Sequence, residues 1–249
     1  MFPLKDDVPT RSFPLITVTL IALNVLVYLY EFTLWPPGLP PREALAASRL
    51  YEDFVREFGL VPCRVGEVCP ASLATRLDGA PWPWLTVFTS MFVHGGLFHV
   101  GGNMLYLWIF GNNVEDSMGK GRFVFFYLVC GVAAAVAQYL SDPTSPVPMI
   151  GASGAVSGTL GAYLILHPSA HVWTLVGFGW FWRVVPVPAV VVLGFWIVVQ
   201  VVNALGTFSG GQTGGVAFLA HVGGFVAGMV LIPVFRRSPR SPSRRAGPI

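Results

Sequence analysis

Long apolar stretches separated by shorter polar connections organise this chain. A helix needs about 20 mainly apolar residues to cross the hydrocarbon core of a bilayer. Candidates are residues 14–32, 98–114, 122–140, 153–166, 187–205 and 216–235. The first run is too long for a removable signal peptide and is followed by no small-residue cleavage site, so it reads as a span. The fourth is too short to cross comfortably as a lone helix. A short helix met at membrane depth is tolerated only where protein or water surrounds it. The pattern therefore predicts an all-α membrane protein, a six-helix bundle over residues 14–235. A tail at 1–13 and a basic tail at 236–249 flank it, and residues 35–84 form a long polar first loop.

Composition strengthens this reading. Of 249 residues, 54% are hydrophobic and only 11% charged, and the mean hydropathy is +0.65. Soluble domains are about a quarter charged, and a soluble fold could not hide so much apolar surface. A net charge of +3, scattered along the chain, points away from nucleic acid. The basic residues also orient the spans. Lys5, Arg11, Lys120, Arg122, Arg183 and the run Arg236, Arg237, Arg240, Arg244 and Arg245 all fall on one side of a six-span topology, which puts both termini in the cytoplasm. The first loop has five arginines, but loops of that length weigh little in the rule. The tail reads as a disordered stop-transfer anchor. Trp35, Trp173, Trp180 and Trp182 fall near span ends, where an interfacial belt would place them. Cys130 lies in an apolar run as a small packing residue. Cys63 and Cys69 share the first loop and could close a short disulfide if that loop meets an oxidising compartment.

Polar residues inside spans are expensive and each needs a reason. Residues 141–148 contain three prolines and cannot be helical throughout, so a helix starts near Ser153 in Gly151-Ala152-Ser153-Gly154. Free N–H groups at a helix start can stabilise a developing oxyanion; the simpler reading of Ser153 is an N-cap. His221 alters that balance. Gly224 and Gly228 are four apart, as are Gly154 and Gly158, and small residues at this spacing let helix backbones approach closely in lipid. The fourth and sixth spans should then pack tightly and bring Ser153 within reach of His221, the minimum for activating a serine nucleophile. A core histidine or a proton-relay residue is the alternative for His221. His99 and Asn103 are four apart and share a helix face, where they could stabilise an oxyanion or make a polar helix–helix contact. His94 lies outside that register. No carboxylate is placed to orient His221, which points to a Ser–His dyad. There is no His-Glu-x-x-His zinc motif and no pair of intramembrane aspartates.

These residues resemble the rhomboid family of intramembrane serine proteases. The resemblance rests on Gly-Ala-Ser-Gly at 151–154, Ala-His-x-x-Gly-x-x-x-Gly at 220–228, His-x-x-x-Asn at 99–103, and Gly111, Glu115 and Gly119 at the end of the second span. The motifs occur in family order between about Phe92 and Gly228. The resemblance implies a six-helix rhomboid-like bundle and a hydrolysis without cofactor or metal. It implies Ser153 as nucleophile, His221 as general base, and His99, Asn103 and the Ser153 N–H as oxyanion hole. Glu115 would tie the cytoplasmic helix end together and take no part in chemistry. Substrates would be transmembrane proteins cut in or beside a readily unwound span, with lipid as the surroundings. The compact chain suggests a bacterial plasma membrane.

Two positions depart from the family pattern. Leu85 follows Trp84 where many rhomboids have Trp-Arg, and Ser157 stands where some carry an aromatic residue stacked on the catalytic histidine. His221 must then be held by other packing, with Ser157 able to lend a hydrogen bond. Two other readings compete. One is a catalytically silent rhomboid-like protein that binds transmembrane helices, against which the joint presence of Ser153 and His221 argues. The other is a small transporter using His221 and Glu115 as proton relays, which would predict inverted repeats; the spans show none.

Overall fold

The computed structural model describes residues 1–77, 79–208 and 217–237. Of the basic C-terminal run only Arg236 and Arg237 are among them, so the expectation for that tail lies outside the described residues. In chain order the elements are β1 (Phe2–Asp6), α1 (Leu15–Leu34), α2 (Pro41–Phe58), α3 (Pro62–Val65), α4 (Ala71–Arg76), α5 (Thr86–Thr89) and α6 (Leu97–Tyr106). A π-helical turn (Leu107–Gly111), α7 (Asn112–Met118), α8 (Lys120–Ser141), α9 (Ser153–Leu166), β2 (His171–Phe178), β3 (Phe181–Pro188), α10 (Ala189–Phe208) and α11 (Phe218–Phe235) follow.

Among the described residues, α1, α8, α10 and α11 are long and apolar enough to cross a membrane. The second expected span is a helical run from α6 through the π turn into α7. The fourth is α9, whose residues from Gly154 to Tyr163 are all buried. An all-round apolar helix of this kind belongs at the centre of a bundle, and burial on every side is what its shortness demanded. Its Leu160 and Tyr163 share one buried core cluster with Phe110 of the π turn and with Phe123, Phe126 and Tyr127 of α8.

Backbone contact between α9 and α11 is closer than side chains would allow. A Cβ at Gly224 would run into the Gly154 carbonyl, and one at Gly228 into the Gly158 backbone. A Cβ at Gly158 would also meet the Cys130 side chain of α8. Dispersion across such a seam is what can hold helices together in lipid, where burial from water contributes little.

Two features depart from the sequence reading. A three-stranded antiparallel sheet, ordered β1-β2-β3, joins the N-terminal tail to the connection between α9 and α10. Phe2 pairs with Leu175 and Asp6 with Val172, so the architecture is mostly helical and not purely so. Trp173 and Trp182 belong to this sheet, and Trp180 to its hairpin turn. The first loop is also built of structure. Its α2 starts on Pro41, which is favourable in a first turn, ends at Gly59 and leans on α1 through Tyr30–Phe54 and Trp35–Tyr51 ring contacts. A Cys63–Cys69 disulfide closes the next turn. Leu60 and Met149 exchange backbone hydrogen bonds of 3.0 and 2.7 Å, and Arg64 donates to the Pro81 carbonyl. These bonds hold the segment that departs from Trp-Arg at Leu85.

Candidate active site

The proline-rich segment before α9 cannot continue a helix, and the chain turns into α9 at Gly151. That residue has φ +110°, and a Cβ there would lie 2.5 Å from His99 Nε2, so both backbone conformation and space call for glycine. Its N–H donates to the Ser90 carbonyl at 2.8 Å. Ser153 follows as the first residue of α9.

Across the glycine seam, His221 Nε2 stands 2.8 Å from Ser153 Oγ. Its other nitrogen, Nδ1, is 2.8 Å from Gln200 Oε1 on α10. The Trp196 ring lies 5.9 Å from the imidazole, and the Phe218 ring is perpendicular to it at 6.3 Å. Ser157, one turn after Ser153, donates its hydroxyl to the Ser153 carbonyl at 2.6 Å. The hydrogen bond allowed for Ser157 therefore goes to the serine's own backbone and leaves the histidine alone.

On α6, His99 and Asn103 converge on the turn that precedes Ser153. The Gly95 N–H donates to His99 Nδ1 at 3.2 Å. Nδ1 is then the acceptor, and the N–H sits on Nε2, facing Gly151. Asn103 Nδ2 approaches His94 Nε2 at 3.1 Å and keeps a second amide hydrogen.

His94 is the residue the helical register passed over. It is completely buried. Its Nδ1 is 3.1 Å from the Phe92 carbonyl, so Nδ1 donates and Nε2 accepts, both from Asn103 and from the Ala152 N–H at 3.4 Å. His94 thus ties Asn103 to the backbone beside Ser153. Its own backbone is fixed in turn: Glu31 of α1 accepts its N–H, and Tyr51 of α2 donates to its carbonyl, each at 3.1 Å. Only the separation of five from His99 marked it in the sequence, and that spacing belongs to no regular helix face.

Ser153, His221, His99, Asn103 and Gln200 all line one cavity of about 700 Å³. That volume lies in the range of ligand-binding clefts. A nucleophilic hydroxyl hydrogen-bonded to an imidazole, beside further N–H donors, is an arrangement for acyl transfer. Among the described residues no three His, Cys, Asp or Glu side chains cluster as metal ligands.

The remaining motif residues lie at the other end of the bundle. Glu115, 2% exposed, accepts the Ile16 N–H at 3.1 Å and the Thr17 N–H and hydroxyl at 2.8 Å each. A carboxylate in this position satisfies the free donors at the start of α1 and complements its dipole. Gly111 lets Thr17 approach, and Gly119 donates its N–H to the Glu115 carbonyl at 2.6 Å.

Comparison with known proteins agrees with this architecture. A family model described as the Rhomboid domain matches residues 81–238. Rhomboid protease GluP of Bacillus subtilis (strain 168) is 41% identical over 81 residues, covering 32% of this chain and 15% of the relative. Rhomboid-like protein 11, chloroplastic, of Arabidopsis thaliana is 31% identical over 166 residues, 63% of this chain and 54% of the relative. Rhomboid protein 1, mitochondrial, of Saccharomyces cerevisiae is 29% identical over 153 residues, 59% of this chain and 40% of the relative. The chain thus matches about half or less of each relative's length. Mitochondrial and chloroplastic members accompany the bacterial one, so the relatives support an integral membrane protein without singling out a bacterial plasma membrane. With its family model spanning most of the chain and its apolar helices packed around the short α9, this protein belongs to the rhomboid family.

Proposed function

We propose that this chain is an intramembrane serine endopeptidase that cuts transmembrane proteins in or beside a span. The observation that carries the reading is the 2.8 Å contact between Ser153 Oγ and His221 Nε2, made inside a cavity that N–H donors also face. A relative named as a rhomboid protease supports it. In this reading six helical segments cross or enter the bilayer, with both termini on the cytoplasmic side, which the distribution of Lys and Arg favours.

The chemistry follows from the geometry. His221 Nε2 takes the Ser153 proton as Oγ attacks the scissile carbonyl. The oxyanion that forms is held by the Ser153 N–H, His99 Nε2–H and the free Asn103 amide hydrogen. Collapse of this intermediate breaks the C–N bond, and His221 returns the proton to the leaving amine. Water, deprotonated by His221, then releases the acyl fragment from Ser153 as a carboxylate. The peptide must be extended to reach Oγ, so spans that unwind readily are the preferred substrates. The glycine seam and the buried Glu115 hold the scaffold and touch no reacting atom.

The test is cleavage of a model transmembrane substrate by the purified protein in detergent and in lipid. Ser153→Ala and His221→Ala should each reduce turnover about a thousandfold or more, because the pair acts as a unit, and a metal chelator should have no effect. Turnover that survives in Ser153→Ala would remove the nucleophile assignment. A wild type inert toward several substrates, yet able to bind them, would make the protein a silent binder of transmembrane helices.

A further inference from the structure

Gln200 is a polar residue in an apolar helix and is only 8% exposed, so its presence in α10 calls for an explanation. Its Oε1 lies 2.8 Å from His221 Nδ1. Its Nε2 lies 3.5 Å from the Trp196 carbonyl, one turn earlier on the same helix. A carbonyl only accepts, so the NH2 end of the amide belongs toward Trp196 and the oxygen toward the histidine. The oxygen in turn only accepts, which puts the imidazole proton on Nδ1 and leaves the Nε2 lone pair to Ser153.

We propose that Gln200 is a positioning residue that extends the Ser153–His221 pair into a Ser–His–Gln line; the inference rests on the proposed function. A neutral imidazole has two tautomers, and only one can receive the serine proton. The other would present an N–H to Ser153 and block the transfer. Gln200 selects the productive tautomer and fixes the ring plane, and its dipole stabilises the imidazolium that forms during attack. An amide does this without placing a second ion in a low-dielectric span, where an unpaired carboxylate is costly. The role passes to α10 because α9 supplies no group for it. Ser157 turns its hydroxyl to the Ser153 carbonyl, while Trp196 packs beside His221 from the same helix as Gln200.

The experiment compares the wild type with Gln200→Leu and Gln200→Glu in the full-length protein. Loss of an orienting carboxylate costs a serine protease about 10⁴-fold, and a neutral amide should matter less, so Gln200→Leu should lower kcat at least about tenfold with KM unchanged. Labelling of Ser153 by a fluorophosphonate, which needs no peptide substrate, should slow by the same factor. Gln200→Glu, which keeps an acceptor for Nδ1–H, should recover most of both rates. Nitrogen NMR of the His221 ring should show Nδ1 protonated in the wild type and a tautomer mixture in Gln200→Leu. Unchanged melting in detergent would separate these effects from unfolding. Equal kcat and labelling in Gln200→Leu, or a Glu variant as impaired as the Leu variant, would overturn the proposal. Loss in Ser153→Ala with no loss in Gln200→Leu would overturn this inference alone, whereas an inert, unlabelled wild type would overturn the proposed function with it.

Discussion

The two ends of the bundle use polar groups in opposite ways. At the Ser153 end, donors are held in place but keep capacity in reserve: His99 Nε2–H faces the turn, Asn103 has an uncommitted hydrogen, and both face a cavity. At the end carrying the sheet, the carboxylates are committed to protein partners. Glu115 accepts from the start of α1, and Asp116 accepts the Arg11 N–H at 3.0 Å and the Ser12 hydroxyl at 2.8 Å. Asp6 accepts from Asn113 at 2.6 Å and from Tyr163 at 2.7 Å. Open hydrogen-bonding capacity favours a transition state that has yet to form; saturated capacity favours the fold already there. Under the proposed function, substitutions at the first end should lower turnover and leave stability alone, and substitutions at the second should do the reverse.

The largest effect is expected where the two ends are joined. Gly228→Val would drive a side chain into the Gly158 backbone. Overpacking of about 3 kcal/mol or more against a rigid neighbour should remove both folded yield and cleavage. Thermal melting and size exclusion in detergent would read it, and a normal melt would deny the seam its role. Next, His99→Ala and Asn103→Ala should each lower kcat by about 10²–10³ with little change in KM or melting. A fall in melting instead would make them structural, on the pattern of Glu115.

Glu115→Ala leaves the half-buried Ile16 N–H and the buried Thr17 N–H and hydroxyl without their acceptor. It should cost about 2–3 kcal/mol of stability while turnover per folded molecule is kept. Opening the Cys63–Cys69 bridge with Ser at both positions releases a short loop and should cost about 2 kcal/mol by loop closure. Differential scanning of the reduced and oxidised proteins would check this.

The smallest effect is a pH dependence of the sheet. The His171 N–H donates to Asp7 at 2.9 Å and holds the Asp7 carboxyl below its usual range, with the His171 ring adding to this. A carboxyl lowered by folding contributes stability above its unfolded value, and the contribution is lost as pH falls through the folded value. Protection of the His171 amide against hydrogen exchange, corrected for intrinsic rate, should therefore fall in acid. Asp7→Asn should remove that dependence without altering cleavage.

The same contrast separates what was legible in the chain from what was not. Residue order alone marked the apolar spans, the helix start after the prolines at 143, 146 and 148, and the four-residue glycine spacings, because each is a local pattern tied to helix periodicity or backbone stericity. The fourth stretch, residues 153–166, coincides with α9. The sheet was illegible because the strand at Phe2–Asp6 is short and gains its partner only some 170 residues later. The disulfide stayed open because sequence gives no separation between two Cα atoms, which in the fold is 4.7 Å. At the candidate site, Ser153, His221, His99 and Asn103 sat in patterns that could be read locally, whereas Gln200 stood out only as a polar residue in an apolar stretch and His94 lay outside the register of His99 and Asn103. A buried hydrogen bond between side chains on different helices leaves no periodic trace in either one. The sequence by itself determined which segments are apolar enough to seek lipid, of which α1, α8, α10 and α11 have the length to span it among the described residues, and where a serine could start a helix. Only the tertiary structure decided that Nε2 of His221 faces Ser153 and Nδ1 faces Gln200, because those distances are set by the packing of α9, α10 and α11.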